Sequence, residues 1–312
     1  MRYSWIDNLK VIALFMVVMG HIPIDGDGMI GKLIYNFHMP LFFFLSGLVH
    51  KDKSVMSNVR RLLVPYILFN ILFLAVEAGW MFRQEGNWNF VATSILGIFF
   101  PLKHPIDYPT WFLLCLFEIK VIVKLVCSIR ARIVVAILSI ILASFVSDKY
   151  SLPFFWLEVI MALPYYIVGI LLKEHLLKVK YSKGRTILCA ALSCGGGYLI
   201  AVSYSEYIWT DVYCRPHQFL ISLLGVCFAV SLTLSLFTRR ISTVENISNG
   251  AIAVIALHPL FIQYLRRLLL LTGHEWIVTN LFQCLLYSSI VFVLCCITIP
   301  FFNKRLPWLI GK

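Results

Sequence analysis

Apolar runs long enough to cross a lipid bilayer recur along this chain from its first residues to its last. A helix of about 20 apolar residues covers the hydrocarbon thickness of a membrane. Hydrophobic residues make up 60% of the 312 positions and charged residues only 13%, which leaves too little polar surface to solvate a water-soluble globule of this size. The pattern predicts an all-α, polytopic transmembrane helical bundle. No stretch is long enough for a separate soluble domain, so we expect residues 1–312 to form a single membrane domain.

Hydropathy and helix-breaking residues divide the chain into about ten predicted spans. They lie near residues 6–23, 33–50, 62–82, 110–127, 132–147, 154–173, 185–204, 217–237, 250–270 and 277–302. The stretch 88–100 is amphipathic and too short to span, so we expect it to lie at the interface or to pack as a re-entrant segment.

The net charge of +12 is distributed in a way that reports membrane topology. Lys and Arg are more numerous in segments 51–61, 128–132, 173–185 and 303–312 than in the alternate connections. Because short cytoplasmic loops carry the excess of basic residues, both termini are predicted in the cytoplasm. We therefore expect the lipid bilayer, and no nucleic acid, to be the partner of these charges.

The nine cysteines are scattered, mostly inside apolar runs, without the spacing of a metal site or a redox motif. The sequence therefore predicts small core residues at these positions and gives no indication of a metal centre.

The first helix carries three ionisable side chains: Asp7, Lys10 and His21. A polar residue inside a span is a candidate for function, because a central charge costs roughly 2.5 to 3.5 kcal/mol there. Lys10 and His21 share one helix face but stand roughly 16 Å apart along the axis at 1.5 Å per residue, so they would serve different parts of one elongated site. Alternatively, Lys10 snorkels to the inner interface, His21 is a hydrogen-bonded helix-end residue, and Asp7 caps the helix or pairs with Lys10.

Two further histidines lie close to prolines inside predicted spans. His38 is beside Pro40 near the outer end of the second helix, at a depth similar to that of His21. The two imidazoles either share a pocket or lie at the interface without a common site. Gly47, deeper in the same helix, permits close helix packing. His258 in the ninth helix is expected at mid-span or slightly inward, as a buried structural residue or as a member of the site.

Charged and aromatic residues mark the third and fourth predicted helices. Arg60 and Arg61 open the third helix on the inner side, where guanidinium groups can engage phosphate, although the positive-inside rule alone also explains basic residues there. Trp111 opens the fourth helix and is predicted as an aromatic anchor at the outer interface. Glu118 in that helix and Glu158 further on each need a partner or a proton in hydrocarbon.

Several segments together resemble the acyltransferase family 3 membrane proteins, especially the branch related to fucose 4-O-acetylases and other polysaccharide O-acetyltransferases. The segments are DNLK followed by VVMGH, then FHMPLFFFLSGL, RRLLVPY, TWFLLCLF and LHPLF, in this order across nearly the whole chain. The family's first helix usually has an arginine, ten residues and a histidine, whereas this sequence has Lys10, ten residues and His21. The lysine keeps the positive charge but lacks the bidentate fork of arginine.

The resemblance implies an O-acyltransferase of a bacterial cytoplasmic membrane, and we expect the first four helices to lie around the site. It implies that His21 is the catalytic residue, as a general base or as an acyl carrier, and that Lys10, Arg60 and Arg61 hold the acyl donor. The donor is expected to be acyl-CoA, by default acetyl-CoA, used as a co-substrate without a further cofactor. The acceptor is expected to be a hydroxyl of a cell-surface or lipid-linked carbohydrate. Possible further members of the site are Asp7, His38, Trp111, Glu118 and His258.

Other functions are compatible with the same residues. A transporter or permease also has about ten helices, intramembrane charges and spans broken by proline, although no inverted repeat is visible in this sequence. An acyltransferase acting on a non-carbohydrate acceptor would use the same bundle. A structural subunit of polysaccharide export would tolerate substitutions at Lys10, His21 and Arg60.

Overall fold

The computed structural model describes residues 2–22, 24, 28–86, 88–101, 108–145, 153–178, 216–274 and 276–312, with isolated positions between 184 and 195. These residues form helices, turns and connecting segments, and they contain no β-strand. The helices are α1 (Ser4–Gly20), α2 (Gly28–Leu48), α3 (Val55–Asn58), α4 (Val64–Glu85), α5 (Asn89–Phe99), α6 (Trp111–Leu125), α7 (Ile129–Phe145), α8 (Trp156–Lys178), α9 (Pro216–Leu236), α10 (Ser242–Asn249), α11 (Ala251–Leu271) and α12 (Leu281–Arg305).

The all-α membrane architecture predicted from the sequence is confirmed. Within the described residues, five helical segments are long and apolar enough to cross a membrane: Val55–Arg83, Pro153–Lys178, Gln218–Leu236, Ala251–Leu271 and Leu281–Arg305. The predicted span 185–204 lies largely outside the described residues, whereas each of the other predicted spans overlaps a helix.

The third helix begins earlier than its hydropathy indicated. Ser54 accepts a hydrogen bond from the backbone N–H of Ser57 (3.2 Å) and so caps α3. A π-helical turn, Val59–Leu63, then joins α3 to α4, so that residues 55–85 form one continuous rod. Arg60 and Arg61 therefore lie inside the rod rather than at its start, on a wide turn of the kind often found at functional sites.

Helix α5 returns along α4, as expected for the re-entrant alternative. Trp88 stacks on Phe82 near the end of α4, with ring centroids 4.4 Å apart. At the other end of α5, the hydroxyl of Tyr66 in the first turn of α4 donates to the carbonyl of Ile98 (3.2 Å). The short helix thus runs antiparallel to α4 and ends beside its beginning.

Trp111 is buried in the core, which argues against its predicted role as an aromatic anchor at the outer interface. Thr110, just before α6, accepts a hydrogen bond from the side chain of Asn70 (2.8 Å), which lies near the middle of the 55–85 rod. Trp111 is only 7% exposed and packs against Phe43 and Phe155. Helix α6 therefore begins at the depth of the bundle centre, which places this tryptophan in the core.

Helices α2 and α8 cross at two glycines. A Cβ atom at Gly47 would stand 2.9 Å from the carbonyl carbon of Tyr166 and closer still to its oxygen. A Cβ atom at Gly169 would stand 2.9 Å from the backbone nitrogen of Leu48 and closer still to the carbonyl oxygen of Phe44. The missing side chains let the two backbones touch, as the sequence predicted for Gly47.

Both chain termini lie at the same end of the bundle, which we call the terminal end. Gly311 has a positive φ of 74° and packs its Cα against the carbonyl group of Arg61, where a side chain would not fit. Gly311 also lies against the side chain of Ile252 at the beginning of α11, directly after the α10 helix to which Arg2 and Lys10 donate hydrogen bonds. This arrangement agrees with an even number of membrane crossings.

Candidate active site

His21 directly follows the last turn of α1, where helix carbonyls have no partner within the helix. The structure supplies partners from two other helices. The Tyr35 hydroxyl of α2 donates to the carbonyl of Gly20 (3.3 Å), and the Cys284 thiol of α12 donates to the carbonyl of Ile22 (3.2 Å). A Cβ atom at Gly20 would approach the Tyr35 ring to 3.2 Å, so glycine helps this contact to form. The backbone around His21 is therefore held on both sides.

Three histidines have the same hydrogen bond to their own helix. The Nδ1 atoms of His21, His38 and His258 each face the backbone carbonyl four residues earlier, at 2.8, 2.8 and 2.9 Å. A carbonyl oxygen can only accept, so each Nδ1 carries the proton when the ring is neutral. The Nε2 atom of each neutral ring then carries a lone pair, which is the form a general base or nucleophile requires.

The structure brings His258 into contact with His21. Their ring centroids are 4.8 Å apart and the rings meet edge to face at 70°. His21 is partly buried and His258 is fully buried. Within the described part of the chain, the Nε2 atom of His258 has no hydrogen-bond partner. Of the two roles the sequence left open for His258, this contact favours membership of the site.

His38 joins the same region from α2. It is 2% exposed and packs edge to face on Tyr35, with ring centroids 4.9 Å apart, and the hydroxyl of this tyrosine donates to the carbonyl just before His21. The depth predicted for His38 agrees with this position. The candidate site extends beyond the first four helices that were expected to surround it, because α11 supplies His258 and α12 supplies the Cys284 thiol.

A cavity of about 380 Å³ opens at the terminal end, beside the beginning of α1. Its walls include basic, acidic and apolar side chains of α1, α2 and the end of α10. The charged members are Arg2, Asp7, Lys10 and Lys51. This cavity could accept an anionic ligand that also has an apolar part.

The polar residues at the beginning of α1 bind the segment around α10. Asp7 accepts two hydrogen bonds from Arg2, at 2.6 and 3.0 Å, and one from the hydroxyl of Ser248, at 2.6 Å. Lys10 donates to the carbonyl of Ser248 (2.9 Å), one residue before the end of α10. A lysine ammonium is well placed there because the carboxyl end of a helix carries partial negative charge. Asp7 therefore pairs with Arg2 and Ser248, and Lys10 both lines the cavity and fixes α10.

Arg60 and Arg61 are exposed at the same end of the bundle. Burial, followed by the positive charges of Arg61 and Lys51, lowers the pKa of Lys53. Arg61 also acts electrostatically on Lys120. Like charges gathered in this way favour a bound anion, and guanidinium groups suit phosphate.

Glu118 lies away from the three histidines. It is partly buried in α6, and its Oε2 atom has no hydrogen-bond partner among the described residues. The charge of Glu158 from α8 acts on it, so the structure brings the two carboxylates near each other. Neither Glu118 nor Trp111 contributes to the histidine cluster through a contact of the described residues.

Four residues that support the site were missed in the sequence: Asn8, Tyr35, Ser248 and Cys284. The side chain of Asn8 donates to the carbonyls of Phe237 (2.5 Å) and Arg239 (3.1 Å). Its position in the polar run DNLK was a signal that it faces protein. The contacts of Tyr35 and Cys284 are made to backbone carbonyls, which leave no mark on the partner's sequence.

These features define a helical membrane protein with a basic cavity at one end of its first helix and a histidine cluster at the other. The model of the acyltransferase domain family matches residues 3–300, nearly the entire chain. The chain belongs to this family and is a multi-pass membrane O-acyltransferase. No curated protein and no solved structure matches it.

Proposed function

We propose that this enzyme transfers an acyl group from cytoplasmic acyl-CoA, by default acetyl-CoA, to a hydroxyl of a cell-surface or lipid-linked carbohydrate in a bacterial cytoplasmic membrane. His21 is the proposed catalytic residue. The observation that carries the proposal is the geometry of α1, which joins the basic cavity at Lys10 to the histidine cluster at His21 over roughly 16 Å.

The donor is proposed to bind at the terminal end, which the charge pattern assigns to the cytoplasm. Its phosphates would be held by Lys10, Arg60 and Arg61, and the positive charges of Arg61 and Lys51 also act on Lys53. The pantetheine arm of a CoA thioester is long and thin, so it can bridge the distance that separates Lys10 from His21. The donor would thus place its phosphates at one end of α1 and its thioester at the other, which accounts for the wide spacing between Lys10 and His21.

His21 is proposed to act through its Nε2 atom, because Nδ1 is engaged with the carbonyl of Val17. As a general base, Nε2 takes the proton of the acceptor hydroxyl while the oxygen of that hydroxyl attacks the thioester carbonyl. The C–S bond breaks, the proton passes to the thiolate, and the products are an ester and free CoA. In the alternative, Nε2 attacks the thioester carbonyl and CoA leaves as the thiolate. The acceptor hydroxyl then attacks the acyl-imidazole, the C–N bond breaks to restore the neutral ring, and the hydroxyl proton passes to the thiolate.

The test is transfer of labelled acetyl from acetyl-CoA into lipid-linked and polymeric glycan, in membranes that contain wild-type or His21→Ala protein. We expect glycan labelling with the wild-type protein and none with His21→Ala at equal expression. His274→Gln is the matched control, because the side chain of this exposed histidine forms hydrogen bonds only with the neighbouring Thr272 among the described residues.

Two outcomes would contradict the proposal. Labelling that persists in His21→Ala protein would remove His21 from the chemistry. Absence of labelling with well-expressed wild-type protein, together with accumulation of unmodified substrate in vesicles, would favour transport.

A further inference from the structure

His258 raises a question that the proposed function leaves open. The side chain is fully buried, and its Nε2 lone pair has no hydrogen-bond partner among the described residues. An unsatisfied buried polar atom costs free energy, so such atoms in native proteins call for an explanation, which is often a catalytic or binding role. The position of this atom beside His21 points to a ligand at the reaction centre.

The chemistry of the missing partner follows from the tautomer. Because Nδ1 of His258 donates to the carbonyl of Val254 (2.9 Å), Nε2 of the neutral ring can only accept a hydrogen bond. The partner must therefore carry an O–H or an N–H group. Since the His21 and His258 rings are in contact, that group must lie close to the hydroxyl whose proton His21 is proposed to remove.

Two substrates could bring such a donor to the reaction centre. One source is a second hydroxyl on the acceptor, and the other is an amide N–H in the pantetheine arm of the acyl donor. Because Nε2 of His258 is enclosed, a small hydroxyl can reach it more easily than a substituted amide can.

We propose that the acceptor presents two adjacent hydroxyl groups, one bound by each imidazole. This inference rests on the proposed function and narrows its substrate class to sugars with a free vicinal diol around the acylated position. His21 takes the proton of the hydroxyl that becomes the ester. His258 stays neutral, accepts a hydrogen bond from the neighbouring hydroxyl, and so selects and orients the acceptor.

The first test compares His258→Phe with His258→Gln in the acetyl-transfer assay. Phenylalanine keeps a ring against His21 but cannot accept a hydrogen bond, so we expect kcat/KM for the acceptor to fall roughly 10-fold to 100-fold. Glutamine offers an amide oxygen near the former Nε2 position and should restore part of that loss. The same pair at His21 should behave differently, because His21→Gln cannot take a proton and should remain inactive.

Measurement of the donor KM and of the acceptor KM separates the two sources of the hydrogen bond. We expect His258→Phe to raise the acceptor KM and to leave the donor KM unchanged. A rise in donor KM with an unchanged acceptor KM would assign the contact to the pantetheine arm and overturn the proposal. Thermal unfolding of each purified variant shows whether it is folded, and His258→Gln provides the second variant if His258→Phe is not.

The second test locates the acyl group in the wild-type product by NMR. A free hydroxyl on the carbon next to the acylated one supports the proposal, whereas an ester on a position with no hydroxyl-bearing neighbour overturns it. The two levels of inference fail differently. Absence of transfer by wild-type protein refutes the proposed function, whereas normal transfer by His258→Phe refutes only the role of His258.

Discussion

The crossing of α2 and α8 allows a quantitative prediction for Gly47→Ala. Ordinary contact of a Cβ atom begins at 3.4 Å, but here the added atom would be 2.9 Å from the carbonyl carbon of Tyr166 and closer to its oxygen. The obstacle is backbone, so no rotation of a side chain relieves it, and the two helices must move apart by more than 0.5 Å. We expect a loss of about 3 kcal/mol, at the upper end of the cost of overpacking. For 312 residues, with an unfolding entropy of about 2.1 cal/mol/K per residue, the corresponding fall in Tm is about 5 °C.

The assay is thermal unfolding of purified protein in detergent, with Gly79→Ala as the matched control. Gly79 is also a helical glycine, in α4, but nothing lies within 4 Å of a Cβ atom built there. Its replacement should leave Tm unchanged or raise it slightly, because alanine favours helix over glycine by about 0.5 to 1 kcal/mol. Equal effects of the two substitutions, or an unchanged Tm for Gly47→Ala, would refute the reasoning from backbone contact.

Two further predictions concern buried charge. Arg267 binds the buried carboxylate of Glu77 through both of its terminal nitrogens, one of them at 3.1 Å. Glu77→Ala should therefore destabilise the protein by about 3 to 5 kcal/mol, since the guanidinium group of Arg267 loses its carboxylate partner. A double-mutant cycle with Arg267→Ala that gives no coupling energy would contradict this prediction. Burial, followed by the charge of Lys120, lowers the pKa of His50 to about 4, and its ring is bonded to the Tyr166 hydroxyl (2.7 Å) just beyond the end of α2. Between about pH 6.5 and 4, His50 binds a proton in the unfolded chain but not in the folded protein, so it makes the free energy of unfolding decrease as the pH falls. The Tm of His50→Gln should therefore fall less between pH 7 and pH 5 than the Tm of the wild-type protein. Identical decreases in Tm would show that His50 is not responsible.

Hydropathy predicted the helices well because it measures the free energy of transferring a segment from water into lipid. It could not predict depth, and Trp111 shows why. The residue stands at the beginning of a span, where an aromatic anchor is usual, but the preceding α5 has already returned to the level of Tyr66. The hydrogen bond between Asn70 and Thr110 sets the depth of α6, and this contact joins segments far apart in the sequence.

The histidine cluster could be predicted in part for a related reason. His21 and His38 belong to consecutive helices. Their similar depth can therefore be predicted by counting how many residues separate each histidine from the segment that connects α1 to α2. His258 was expected nearer the inner side, because the count assumed that the ninth span begins at the membrane surface. The structure instead places the separate helix α10 against Lys10, and α11 begins from that level. His258 therefore reaches the level of His21, and the two rings are in contact.

Helix α1 is fixed at both ends by contacts of different kinds, and this matters for the proposed reaction. At the terminal end, Asp7 and Lys10 hold α10 through Ser248. At the other end, Tyr35 and Cys284 hold the backbone carbonyls that flank His21. The rigid helix between them sets the distance from the basic cavity to the histidines. In the proposed reaction, charge at one end would select the donor, hydrogen bonds at the other would select the acceptor, and only a donor long enough to reach along α1 could bring its thioester to His21.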